Sequence, residues 1–239
     1  MSAEGRSRLV AIFTPLPGES LGNYVARALR ALDGLHPGDG ALVELARHVE
    51  GARAEAEQFR ATNCATSMRW ILAWLGCPHP WCYLTDDELR RIDPGGPVSW
   101  ILRIWRDMGT KINVWGKTFA ELEELIQEGW PVHYDNRGIL NSDHVEWCTD
   151  RDLSDPEPDE HVGGGRAGNY ITKGLGDVVG RVGRKPHYVA DIDKLIPGFK
   201  IGETEQNREW RAAQARLNGV VARMPRDPLA DRETLPEPE

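Results

Sequence analysis

The stretch TNCATSMRWILAWLGC, residues 62–77, restricts the fold more than any other part of the chain. Thr62 or Asn63 suits a helix N-cap, Met68, Ile71, Leu72 and Leu75 recur at helical spacing, and Gly76 ends the run. Past its first turn this helix is apolar almost all round, so it has to be enclosed by other elements rather than laid on a surface. A chain of 239 residues, 40% hydrophobic and 28% charged, can build that enclosure as one core with a small appendage.

Upstream, Leu9–Phe13 reads as a short strand-like segment closed by Pro15 and Pro17. Leu21, Val25, Leu29 and Leu32 give a helix that GLHPGDG breaks, and Leu42, Leu45, Val49 and Ala52 give another over about 41–57. Downstream, CPHPWCY is a turn, and Thr85 with Glu88 forms a capping box. Residues 97–108 are helical, KINVWG is a short strand, and TFAELEELIQEG is an amphipathic helix ending at Gly129. Strands are then expected at 130–135, 144–150, 168–174 and 187–192, with SDPEPDEHVGGGRAG as a polar loop between two of them. Helices followed by a meander of strands mean an α+β fold. The expected organisation is an N-terminal extension over 1–40, a main domain over 41–200, and a C-terminal helix (204–222) with an acidic tail over 201–239.

The formal net charge is −8 with no block of basic residues, so nucleic acid is not an expected partner. No stretch reaches the roughly 18 apolar residues of a membrane span. The N-terminus lacks the apolar run of a signal peptide, so synthesis in the cytoplasm is expected. Four cysteines (Cys64, Cys77, Cys82, Cys148) do not make a disulfide framework in a chain of this size.

Cys64 is the cysteine placed for chemistry. It opens the buried helix, where unpaired amides and the helix dipole favour a thiolate and can later hold an oxyanion. Gln58, six positions upstream, can add a side-chain amide to that oxyanion hole. His144 stands at the entry of a strand in SDHVEWC, where it can meet a facing helix terminus as the base of a Cys–His pair. A third group should orient the imidazole. Asn169 is preferred, at the start of the following strand, with Asp150 second and Asp152 third. His133, His161 and His187 are reserve bases. Cys77-Pro-His79-Pro-Trp-Cys82 has half the look of a metal site, but no second Cys/His pair completes it. GGGRAG lacks the Lys and the helix of a phosphate loop. Trp70, Trp74, Trp100, Trp105, Trp115, Trp130 and Trp147 fall on apolar faces and are expected in the core, with Trp81 or Trp147 available to line a cleft.

These residues resemble the papain-like fold in the form found in bacteriocin-processing (double-glycine-leader) peptidases and their stand-alone relatives. In that group a Gln precedes the Cys by the interval seen for Gln58 and Cys64. The Cys opens an apolar helix ending in Leu-Gly, here Leu75–Gly76. A Gly-x-Pro-Val strand follows, here GWPVHY, and then a His at the head of a strand, here DHVEWC. The likeness spans about residues 55–175. The chain departs from it in Ala65, Thr66 and Ser67, where the family has Gly-Pro-Ala, in Asp143 before the His, and in lacking a final Asp-Pro strand. Cell-wall amidases and endopeptidases of the NlpC and CHAP types share the same order of Cys and His.

The resemblance implies a papain-like α+β thiol hydrolase, acting on peptide or peptidoglycan-stem amides through Cys64, His144 and Asn169 or Asp150, with no metal or organic cofactor. It would suit a phage-borne enzyme or one released by lysis. The alternatives are a degenerate binding or virion structural module, and an acyltransferase or deamidase on the same residues.

Overall fold

The computed structural model describes residues 3–32, 35, 40–46, 64–135, 144–150, 160–164, 171–175, 185–197 and 199. The expected C-terminal helix and acidic tail, the second helix beyond residue 46, and the N-cap position before Cys64 lie outside them. The described elements are helices α1 (Ala3–Ile12), α2 (Leu21–Arg30), α3 (Gly40–Leu45) and α4 (Cys64–Leu75), a 3-10 turn (Pro80–Tyr83), and helices α5 (Asp86–Ile92) and α6 (Pro97–Asp107). Strand β1 (Lys111–Asn113), helix α7 (Phe119–Leu125), strands β2 (Pro131–Asp135), β3 (His144–Asp150), β4 (Glu160–Gly164), β5 (Ile171–Leu175) and β6 (Lys185–Ala190), and helix α8 (Ile192–Leu195) complete the order. The fold is therefore α+β, with one antiparallel sheet in the order β1-β6-β2-β3-β4-β5.

Helix α4 is the centre of the molecule. Every residue from Ala65 to Leu75 is buried, polar ones included. Helices α3 and α6, the 3-10 turn and strands β3 and β4 pack around it. Its C-terminus closes as the sequence implies. The Cys77 N–H donates to the Leu72 carbonyl at 2.9 Å and the Gly76 N–H to that of Ala73 at 3.1 Å, with Gly76 at φ 90°. That pair of bonds is a Schellman cap, and the positive φ explains the glycine. The Trp74 indole N–H reaches back to the carbonyls of Glu44 (3.1 Å) and Leu45 (2.9 Å), tying α3 to the same helix.

The other end of α4 is pinned by charge. Arg69 is fully buried, and its guanidinium bonds the Asp86 carboxylate and the Leu84 carbonyl, with the Trp100 ring alongside, 5.9 Å from centroid to guanidinium carbon. Asp86 also accepts from the Thr66 hydroxyl at 3.1 Å. The first turns of α4 are thus locked to the start of α5, whose Thr85–Glu88 capping box forms as expected.

Two elements differ from expectation. Residues 3–12 are helix, not strand: Leu9, Ile12 and Phe13 are buried at i, i+3, i+4 spacing, and Phe13 meets the Trp74 ring at 5.5 Å. These N-terminal residues share one hydrophobic cluster with α4. Residues 160–164, expected in a loop, form β4, which fills the sheet position between β3 and β5. Trp115 is 53% exposed rather than in the core, whereas Trp147 is buried with the other core tryptophans as expected. Gly129, in the GWPV motif, has φ 81°, and a Cβ there would stand 2.9 Å from the Gly22 carbonyl oxygen of α2, so the strand entry and α2 approach as only glycine permits. Among the described residues, no helix is long and apolar enough to cross a membrane.

Removing one partner of a buried ion pair leaves an uncompensated charge, at a cost of about 3–5 kcal/mol. Asp86→Ala should lower the unfolding free energy by about that amount in urea titrations; a loss under about 1 kcal/mol, the scale of a surface pair, would show that the Arg69–Asp86 contact does not anchor α4.

Candidate active site

Cys64 is the first residue of α4 and His144 the first of β3. Because α4 packs on β3, the two starts converge, and the Cys64 thiol and the His144 imidazole share a hydrogen bond. Cys64 is half-buried as a residue, whereas His144 is buried.

Burial alone would raise the thiol pKa, but hydrogen bonds outweigh it. His144, the Val145 N–H of β3 and the Ala65 N–H of the helix's first turn all bond the Cys64 sulfur, and together they hold the thiol below its ordinary range. Hydrogen bonds to a charged group contribute about 1.5–3 kcal/mol each, so three of them exceed the burial penalty of a group that still touches water. His144 responds in the opposite direction. Its burial favours the neutral ring, but the bonds and charges of Cys64 and Glu146 raise its pKa to about 9. The two shifts act together: the thiol gives up its proton more readily, and the ring holds one more tightly.

The carboxylate on the ring is Glu146. Its Oε1 lies 2.5 Å from His144 Nε2, and Glu146 is only 6% exposed. Asp150, the expected second choice, is instead at the far end of β3, six residues or about 20 Å along the strand. Asn169 and Asp152 lie outside the described residues, as does Gln58. The strand after Asn169, β5, pairs with β4 and not with β3, so the adjacency expected between the starts of β3 and β5 is interrupted by a whole strand. The signal for Glu146 was present in the sequence: in His-x-Glu on a strand, positions i and i+2 share a face.

The other candidates are placed elsewhere. His133 pairs with Val145, which puts it on the opposite sheet face from His144, against the Tyr188 ring at 5.6 Å. His187 falls at the register shift between β2 and β6 and stacks on Tyr188 at 4.1 Å, and His161 is in β4. Cys77 and Cys82 are buried and hydrogen-bonded to each other; burial and that contact push the Cys82 thiol well above the ordinary range. His79 turns its ring to the Trp81 N–H (3.2 Å) and to Asp107 (3.7 Å), so CPHPWC is a structural turn. Among the described residues, no group of three or more His, Cys, Asp or Glu is arranged to hold a metal ion.

No protein-family model, curated protein or solved structure matches this chain.

These environments predict one fast thiol. In native protein at neutral pH, iodoacetamide should modify Cys64 first, with Cys77, Cys82 and Cys148 reacting only on unfolding. The alkylation rate should rise with a midpoint below the ordinary thiol value of about 8.5, and His144→Ala should move that midpoint toward it. Equal reactivity of all four thiols, or an unmoved midpoint in the variant, would contradict the pairing.

Proposed function

We propose that the chain is a papain-like cysteine hydrolase that cleaves amide bonds in peptides or peptidoglycan stems. The observation that carries this reading is the contact of a half-buried cysteine at a helix N-terminus with a buried imidazole at a strand start. A structural cysteine has no need of a base, and structural thiols are inert because burial keeps them protonated. The Cys64 thiol is shifted the other way, toward easier ionisation, and it opens an apolar helix, as the nucleophile does in the group it resembles.

The chemistry follows from those positions. The Cys64 thiolate attacks the amide carbonyl and a carbon–sulfur bond forms. The resulting oxyanion is stabilised by amides of the first turn of α4, joined in the expected arrangement by Gln58. The carbon–nitrogen bond then breaks as His144 gives its proton to the departing amine, leaving a thioester. His144, now neutral, takes a proton from water. The hydroxide adds to the thioester carbonyl, the carbon–sulfur bond breaks, and thiolate and imidazolium are restored. An amine in place of water would make the same residues an acyltransferase.

The pH dependence has a definite sign. Cleavage needs Cys64 ionised and His144 protonated, and His144 holds its proton below its pKa of about 9. Activity should therefore rise on an acid limb set by Cys64, below the ordinary thiol range, and fall on an alkaline limb near 9.

The test is hydrolysis of peptide and peptidoglycan-fragment libraries, read by mass spectrometry. Cys64→Ala should lower cleavage by about 1,000-fold or more, as expected for loss of a nucleophile. An unchanged rate in that variant, or no cleavage and no covalent thioester with any amide substrate, would leave the fold as a binding or virion module.

A further inference from the structure

We propose that Glu146 is the positioning residue of this site, orienting His144 and setting its charge from within the histidine's own strand. The proposal rests on the functional reading above and extends it to a group that reading does not require. Three observations carry it.

The first is placement. Residues 144 and 146 lie on one face of β3, and β3 is fixed in the sheet by pairing on both sides: Tyr134 stands opposite His144 and Val132 opposite Glu146 on β2, while β4 pairs from Trp147 onward. The separation of acceptor and ring is thus set by strand geometry. No loop has to close to bring them together.

The second is which nitrogen is used. Glu146 Oε1 is 2.5 Å from Nε2 of the ring that also contacts Cys64. One ring therefore touches both thiol and carboxylate, as a base held by an orienting partner requires.

The third is enclosure. His144 is 9% exposed and Glu146 6%, so little water competes for the bond and the charge interaction is weakly screened. Among the described residues, the charged and titratable groups around the ring can be named. Cys64 faces it from α4, Glu146 from β3, and Tyr134 occupies the opposing position on β2. Arg69, the next ionic residue of α4, is engaged with Asp86. On β4, His161 and Glu160 sit in register with Cys148 and Asp150, toward the other end of β3. Among the described residues, Glu146 is the carboxylate on the imidazole.

The chemical consequence separates a carboxylate from an amide such as Asn169. An amide oxygen can orient an imidazole but adds no net charge. A carboxylate also stabilises the imidazolium, and so widens toward alkaline pH the range in which His144 can donate a proton to a leaving amine.

Glu146→Gln keeps an oxygen acceptor of the same reach and removes the charge. In this variant the alkaline limb of the rate profile should shift down by about one pH unit or more, with kcat lowered at least about tenfold and KM little changed. Glu146→Asp, which retains the charge at shorter reach, should keep its alkaline limb close to the wild-type position while losing rate. It also carries the test if the Gln variant does not fold. A merely structural role would lower the melting temperature without moving the limb. An unmoved limb in Glu146→Gln, or a limb in Glu146→Asp displaced as far as in the Gln variant, would overturn the proposal. Either result could arise while wild-type Cys64 remains a reactive nucleophile, so the functional reading would survive it. An unreactive Cys64 in wild-type protein would instead remove that reading itself.

Discussion

The packing of α4 against β3 is the contact on which the rest depends. Helix α4 has no solvent face, so its apolar sides have to be covered throughout, and a sheet provides the broadest cover. Once α4 lies on β3 and β4, the start of the helix and the start of β3 have nowhere to be but close together. That closeness carries polar consequences. Helix N-termini present unbonded amides, and the Ala65 N–H and the Val145 N–H of the neighbouring strand both turn to the Cys64 sulfur. Apolar burial builds the scaffold, and the leftover amides at its edge create the electrostatic site.

The same helix holds a second charged group for a different reason. Arg69 is enclosed on all sides, but its partners are a carboxylate and carbonyls, so its charge is neutralised where it sits. The pair fixes the rotation of α4 about its axis, because Thr66 and Arg69 must both face Asp86. That rotation decides where Cys64 points. A buried ion pair contributes little net stability compared with well-packed apolar residues, and specifying one orientation is the use it has here.

Much of this was legible in the sequence, and the parts that were not have physical causes. The start and end of α4, the cap at Thr85, and strands β2 and β3 all rest on local chemistry: a residue's own backbone preference or a side chain three positions away. The N-terminal helix was hidden because Leu9–Phe13 is continuously apolar, and a short apolar run has no period of its own. Strand β4 was hidden by the glycines of EHVGG, which weaken a strand taken alone but are tolerated where β3 and β5 supply bonds on both edges. Among site residues, Cys64 and His144 follow from their places at element starts. Glu146 was overlooked because the orienting groups weighed were at the far end of the histidine's own strand (Asp150), just beyond it (Asp152) or on the next strand (Asn169), where register is invisible in sequence. The spacing of two within a single strand needed no register at all.

The central claim is that Cys64 and His144 rest as an ion pair, and the ring nitrogens of His144 report this most directly. In protein labelled with nitrogen-15 at histidine, the His144 ring should carry protons on both nitrogens at neutral pH and lose one near pH 9. In Cys64→Ala the same ring should titrate at lower pH, since the sulfur's bond and charge are gone. A ring that is neutral at neutral pH, with a titration unchanged by removal of the sulfur, would contradict the account.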